Sequence, residues 1–181
     1  MVKDKILNVA SRLFYQQGYN LTGINQIIEE AGIAKASLYN HFKSKTDLLM
    51  AYLELAEKQW FAELDAFLKP LSGPREKILA LFDHRIYRQQ SSGFNGCRFI
   101  KISAEINREE SRVFDFVSSY KERARKYIGE LSDNIYGKNS KKSEMLAETT
   151  FLLLEGATTM GAITKNSKYM KTAKKIIQEQ L

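Results

Sequence analysis

The side chains best suited to chemistry concentrate in one stretch, TGINQIIEEAGIAKASLYNHFKSK, residues 22–45. Lys35, Ser37, Tyr39, Asn40 and His41 can all donate hydrogen bonds, and none is acidic. Leu38 and Phe42, four residues apart, belong to the opposite, inward face of the same helical turn. A short helix with that face meets the acceptor-rich edges of a nucleic-acid groove. The rest of the chain offers no competing chemistry. His41 and His84 stand apart and lack a second ligand at metal spacing, so no metal is expected. No Ser/His/Asp set or phosphate-cradling loop occurs, and Gly93 and Gly96 follow no strand, so neither cofactor nor enzymatic activity is expected. Cys97, the sole cysteine, excludes an internal disulfide framework. It follows a glycine-containing loop at a helix start, a setting that fits either a reactive thiol or an ordinary packed cysteine.

The donor face needs a scaffold, and the flanking pattern supplies one. Ile6, Leu7, Ala10, Leu13 and Phe14 recur at helical intervals over residues 3–17, and Gly18 is placed to end that helix. Ile24, Ile27 and Ile28 mark a second helix, for which Thr22 is the expected N-terminal cap. Gly32 is where the turn into the donor helix needs positive φ. Ser44 with Asp47 has the spacing of a capping box ahead of a long helix from Lys45 to about Lys69. That helix would be roughly 35–40 Å long, enough to leave one small bundle and enter another.

Beyond it, Pro70 and Pro74, the only prolines, bracket the strongest break in the chain. Helices are predicted at about 74–91, 97–106, 109–135, 142–164 and 167–180, separated by loops around Gly93, Asn107 and Gly137. An apolar and aromatic content of 44% is too high for a disordered chain, and the scarcity of proline favours an all-α fold of about nine helices. Charged residues break the pattern of the first helix, so it does not read as a signal peptide. The apolar run at Phe151–Leu154 is too short to span a bilayer. A cytoplasmic protein without membrane association is expected. The net charge of +7 divides as +2 over residues 1–47, +1 over 48–137 and +4 over 138–181. Bulk charge therefore points to an anionic partner without locating it.

Residues 6–49 resemble the tetracycline-repressor (TetR) family of bacterial regulators. The resemblance is carried by Ile6 to Phe14, Gly18-Tyr19, Thr22, Ile24, Ile27, Ala31-Gly32-Ile33, Lys35, Ser37-Leu38-Tyr39, His41-Phe42, Ser44-Lys45 and Leu48-Leu49. Two positions depart from the family pattern. Ala34 removes a side-chain cap from the recognition helix, and Ala36 replaces a frequent glycine. Gly96-Cys97, Ala104-Glu105 and Leu154-Glu155-Gly156-Ala157 are similar to runs found in the family's ligand domains.

The resemblance implies a helix-turn-helix DNA-binding domain over residues 1–44 and a ligand-binding and dimerisation domain over 45–181. It implies a ligand-responsive repressor acting as a homodimer on a palindromic, double-stranded operator, its recognition helices about 34–36 Å apart. A DNA-architectural or protein-binding module without small-molecule control is the alternative. By the same resemblance, Lys35, Ser37 and Asn40 would read base edges, while Tyr39, His41 and Lys45 would touch phosphates. Thr22 and Asn25 would reach phosphates from the preceding helix. The unknown effector would lie among Trp60, Phe61, Phe82, Phe99, Tyr120 and Phe151, with Arg85, His84, Glu105 and Glu155 as candidate polar anchors. The dimer face is expected on the last two helices, at Phe151, Gly156, Ala157, Met160, Gly161, Tyr169, Ala173 and Ile177.

Overall fold

A computed structural model describes residues 1–107 and 109–181. Nine helices account for its regular structure among the described residues. They are α1 (Val2–Gln16), α2 (Ile24–Ala31), α3 (Lys35–His41), α4 (Lys45–Leu68), α5 (Pro74–Ser91), α6 (Arg98–Glu105), α7 (Ser111–Tyr136), α8 (Lys141–Thr164) and α9 (Lys168–Gln180). Two compact units result. Unit 1 comprises Met1–Trp60 with Arg98–Val117; unit 2 comprises Phe61–Cys97 with Ser118–Leu181. The long helices α4 and α7 each contribute to both.

In unit 1 the apolar stripe of α1 buries Ile6, Ala10, Leu13 and Phe14. Ile27 and Ala31 of α2, Leu38 of α3 and Phe42 complete the small core, closed by Leu48, Leu49, Tyr52 and Leu53 of α4. Phe14 packs on Tyr52 edge-on, their ring centres 5.7 Å apart. Two positive-φ glycines set the turns. Gly18 follows α1 at φ +101°, and Gly32 closes α2 at φ +55°, its N–H bonded to the Glu29 carbonyl. Ser44 caps α4 by accepting from the Asp47 N–H at 3.0 Å, and its hydroxyl donates back to the Asp47 carboxylate. As the sequence pattern suggested, α3 begins after Ala34 with no side-chain cap.

Thr22 does not cap α2. The residue before that helix is Gly23, with no side-chain cap bond. Thr22 is 0% exposed; its hydroxyl donates to the Gly18 carbonyl at 2.6 Å and accepts from Gln17 Nε2 at 3.2 Å. A β-branched residue in a tight turn satisfies its own hydroxyl locally, and here the carbonyl that accepts it lies four residues behind, at Gly18 in the turn after α1.

Unit 1 also holds α6, which the sequence assigned to the second domain. Phe99 and Ile102 are buried, and Lys101 Nζ donates to the Tyr15 carbonyl at 2.7 Å. The compact units do not divide after residue 44, where the domain boundary was expected.

Unit 2 is built on α5, α8 and α9 with the far halves of α4 and α7. Pro74 occupies the first turn of α5, where its missing N–H costs nothing. Ser140 caps α8 by accepting from the Ser143 N–H at 3.1 Å. Ile78, Phe82, Tyr120, Ile128, Leu154, Met170 and Ile177 form its core. Gln89 threads into it and donates to the Ala157 carbonyl at 3.2 Å, directly against Gly161. Ala157, Gly161, Ala173 and Ile177, expected on the dimer face, are thus turned into the protomer's own core. Their small or aliphatic side chains serve the packing of α8 and α9 on α5.

Candidate nucleic-acid interface

The α2–α3 pair presents its donors to solvent. Asn25, Lys35, Tyr39, Asn40 and His41 are exposed, and Ser37 is half-buried. The opposite side of α3 is anchored by Leu38, and its end by Phe42. Because α3 is only seven residues long, that anchoring fixes which side chains face outward. Every polar group on its exposed face can donate, and none carries negative charge.

The structure adds cations to this surface that the motif does not include. Lys3 Nζ of α1 stands 5.8 Å from the centre of the Phe42 ring. Lys5 Nζ lies over Gly32, 3.6 Å from the point a Cβ would occupy. Lys43, exposed, follows α3 directly. The signal for Lys3 and Lys5 was the polar face of the amphipathic first helix, but only the packing of α1 on α2 and α3 brings it here. The nearby acid Glu30 of α2 is engaged, accepting from Gln26 and paired with Arg12. Those hydrogen bonds, that of Gln26 foremost, hold its carboxyl below the usual range.

Two expected phosphate contacts are placed differently. Thr22 is enclosed, as described above. Lys45 donates to the Tyr19 carbonyl at 2.7 Å and lies 4.2 Å from the centre of the Tyr19 ring. Its partial burial lowers its pKa, while the charge of Glu105 opposes that shift. Lys45 therefore staples the α1–α2 turn to the start of α4. Burial likewise raises the Tyr19 phenol. Asp47, in the first turn of α4, pairs with Arg112 at 2.9 Å, and that bond foremost holds its carboxyl low.

Glu105 was a candidate ligand anchor. Instead it belongs to unit 1, at the end of α6. Its carboxylate accepts from the Asn20 N–H at 2.9 Å and lies against Gly18; its carbonyl accepts from Asn20 Nδ2 at 2.8 Å. No local pattern foretells a bond across 85 residues. Together Glu105 and Lys45 hold the turn that leads into the α2–α3 pair.

The ligand-site candidates divide between the units. Trp60 and Phe99 lie buried in unit 1. Phe61, Phe82, Arg85, Tyr120, Phe151 and Glu155 lie in unit 2. Phe82 is wholly interior. Phe61 meets Tyr120 edge-on at 6.2 Å. Around Tyr120 a charged cluster forms. Glu155 receives Lys121 in a short contact and lies 3.7 Å from Arg85 Nη2, while Lys121 Nζ is 3.6 Å from Cys97 Sγ. All three charged side chains are largely buried. Burial raises the Tyr120 phenol above its ordinary value, with the Arg85 charge opposing. His84 packs on Phe67 with ring centres 5.3 Å apart, and burial foremost, then the charges of Arg85 and Arg88, lowers its pKa to about 4.

Comparison with known proteins bears on both the α2–α3 pair and the fold. Residues 6–52 match the family described as bacterial regulatory proteins, tetR family. The HTH-type transcriptional regulator QacR of Staphylococcus aureus is 42% identical over 59 residues, covering 33% of this chain and 31% of QacR. AcrR of Shigella flexneri, also an HTH-type transcriptional regulator, is 29% identical over 122 residues, 61% of this chain and 56% of AcrR. The chain thus spans between about a third and somewhat over half of these relatives. The crystal structure of SCO4454, a TetR-family transcriptional regulator from Streptomyces coelicolor, superposes with a TM-score of 0.90. It covers 99% of this chain and 93% of that one at 24% identity, a likeness of fold. Among the described residues no helix is long and apolar enough to cross a membrane.

Proposed function

We propose that the chain, whose residues 6–52 match the tetR family of bacterial regulatory proteins, is a regulator of that family and acts as a ligand-responsive repressor that binds a palindromic operator as a homodimer. The observation that carries this reading is the solvent face of α3. Lys35, Tyr39, Asn40 and His41 project from a helix whose other side is locked in the core. Asn40 suits the N6/N7 edge of adenine and Lys35 the acceptors of guanine, while Tyr39, His41, Lys3 and Lys43 suit phosphates.

One copy of so small a reader, with a local charge of only +2 over residues 1–47, binds weakly; two half-sites require a dimer. Met145, Leu152 and Ile163 on α8 with Tyr169 and Ile176 on α9 are exposed apolar groups on the elements expected to pair. Gly156 and Tyr169 remain candidates from the expected set, with Phe151 and Met160 half-buried. Effector control is supported by the charged cluster of Arg85, Lys121 and Glu155 beside Tyr120, an interior polar group of the kind that orients a small molecule. The effector favours one of two dimer shapes and so changes operator affinity.

The experiment is a footprint on the DNA upstream of the protein's own gene. Sequence-specific protection at moderate salt is expected. Lys35→Ala and Asn40→Ala should each cost about 1–3 kcal/mol of base discrimination per half-site while leaving salt-dependent nonspecific binding. Equal loss on all sequences would contradict their base-reading role.

A further inference from the structure

Unit 1 contains a cleft that the reader does not use. It has a volume of about 320 Å³ and is lined from α1 by Asn8, Ser11, Arg12 and Tyr15, from α4 by Gln59, and from α6 by Arg98. These four α1 residues, at i, i+3, i+4 and i+7, form one face of that helix, and Gln16 adjoins them in the lining. No acidic residue lines the cleft. Volume and polarity suit a small organic molecule.

Arg98 organises the site. Its guanidinium lies 4.4 Å from the centre of the Tyr15 ring and 5.9 Å from that of Tyr52. Cation–π contact on these faces orients the plane of the guanidinium and leaves its edge to make hydrogen bonds. On that edge Nε is buried and has no hydrogen-bond partner among the described residues. Ser11 Oγ, also lining the cleft, is buried and likewise unpartnered. Buried donors without acceptors are rare in folded proteins. Both belong to side chains that line one cleft, with a cation and no carboxylate in its lining, and together they describe a place for an oxyanion. The Nε and Nη donors of one guanidinium take both oxygens of a carboxylate. Arg12 at the rim is already paired with Glu30.

The occupant is not the operator. Gln59 lies fourteen residues along α4 from Lys45, about 20 Å from the end of α4 that adjoins the reader. The Tyr15 ring and the side chain of Leu55 give the cleft an apolar wall, which a bare inorganic ion would leave unused. We propose that this cleft binds a small organic acid, its carboxylate held by Arg98 and Ser11 and its apolar body against Tyr15 and Leu55. The bound acid links α1, which supports the reader, to α4 and α6. It does so at a site separate from the Arg85–Glu155 cluster of unit 2.

The test uses the whole protein with benzoate as probe, chloride holding ionic strength constant and inorganic phosphate in a parallel titration. Benzoate should raise the melting midpoint saturably and shift the Arg98 Nε–H resonance of the unaltered protein. Arg98→Lys keeps the charge but loses the fork, and should weaken benzoate binding by about tenfold or more. Ser11→Asp places a tethered carboxylate in the cleft and should abolish benzoate binding. A midpoint that follows ionic strength alone, an unmoved Arg98 resonance, or undiminished benzoate binding in the folded Arg98→Lys or Ser11→Asp proteins would overturn the site. Phosphate acting as strongly as benzoate would overturn the apolar body of the ligand. A protein that binds benzoate here yet gives no footprint keeps this site and loses the regulator reading.

Discussion

His84 makes the acid sensitivity of unit 2 calculable. The imidazole is 2% exposed, packs on Phe67, and titrates at about 4 in the folded protein against 6.5 when unperturbed. Burial keeps it neutral, and the unfolded chain takes up its proton more readily. A folded-state pKa lying below the unfolded value means that the stabilisation is present above pH 6.5. It is lost as the pH falls toward 4. From pH 7 to pH 5 the linkage relation gives a loss of about 2 kcal/mol from this one group. For a chain of this size that corresponds to a fall of about 4–8 °C in melting midpoint. The assay is urea unfolding at the two pH values and one protein concentration, comparing wild type with His84→Leu. The variant removes the titration while keeping an apolar group against Phe67. The difference between the two proteins isolates the histidine from carboxylates such as Asp47 and Glu122, whose lowered pKa values place their losses at more acid pH. Equal falls for wild type and variant, or an imidazole resonance that titrates near 6.5 in the folded protein, would refute the reasoning.

Other consequences are as direct. Thr22→Val keeps the shape but removes the hydroxyl that bonds Gly18, leaving that carbonyl unpaired. It should cost about 1–3 kcal/mol in unfolding experiments without changing the salt slope of DNA binding, since the hydroxyl is enclosed and already bonded. Gly18→Ala meets both a positive φ and the Glu105 carboxylate 2.9 Å from its new Cβ. It should destabilise unit 1 by about 1–3 kcal/mol and weaken operator binding, read by thermal melting and DNA titration. Leu152, 65% exposed on α8, should tolerate Lys in the folded protomer but shift the assembly toward monomer in sedimentation equilibrium. An unchanged dimer would move the interface elsewhere.

Some of this architecture was legible in the sequence alone. The helix over residues 74–91 follows from the break at Pro70–Pro74 and the apolar positions Ile78, Leu81, Phe82 and Ile86 beyond it, and appears with those bounds. Gly32 was expected at positive φ and Ser44 as the cap of α4, and both are found so. The donor face of α3 was readable because Leu38 and Phe42 mark its inward side. These features depend on residues within a turn or two of one another, where backbone sterics and hydrogen-bond reach are settled by residue type and spacing.

Tertiary packing decided the rest. Thr22 had the composition of a cap, but the carbonyl of Gly18 took its hydroxyl. Lys45 had the position of a phosphate contact, but the Tyr19 carbonyl and ring hold its ammonium. Ala157 and Gly161 had the small size that suits close helix pairing, and Gln89, from another helix, fills that space within the protomer. Helix α6 sides with the reader because Glu105 meets Asn20 and Lys101 meets Tyr15, each across more than 80 residues. Periodicity tells which face of a helix is apolar; it does not tell which neighbour that face, or the polar groups beside it, will meet. That choice belongs to the folded chain, where each polar group pairs with the nearest available partner once water is excluded.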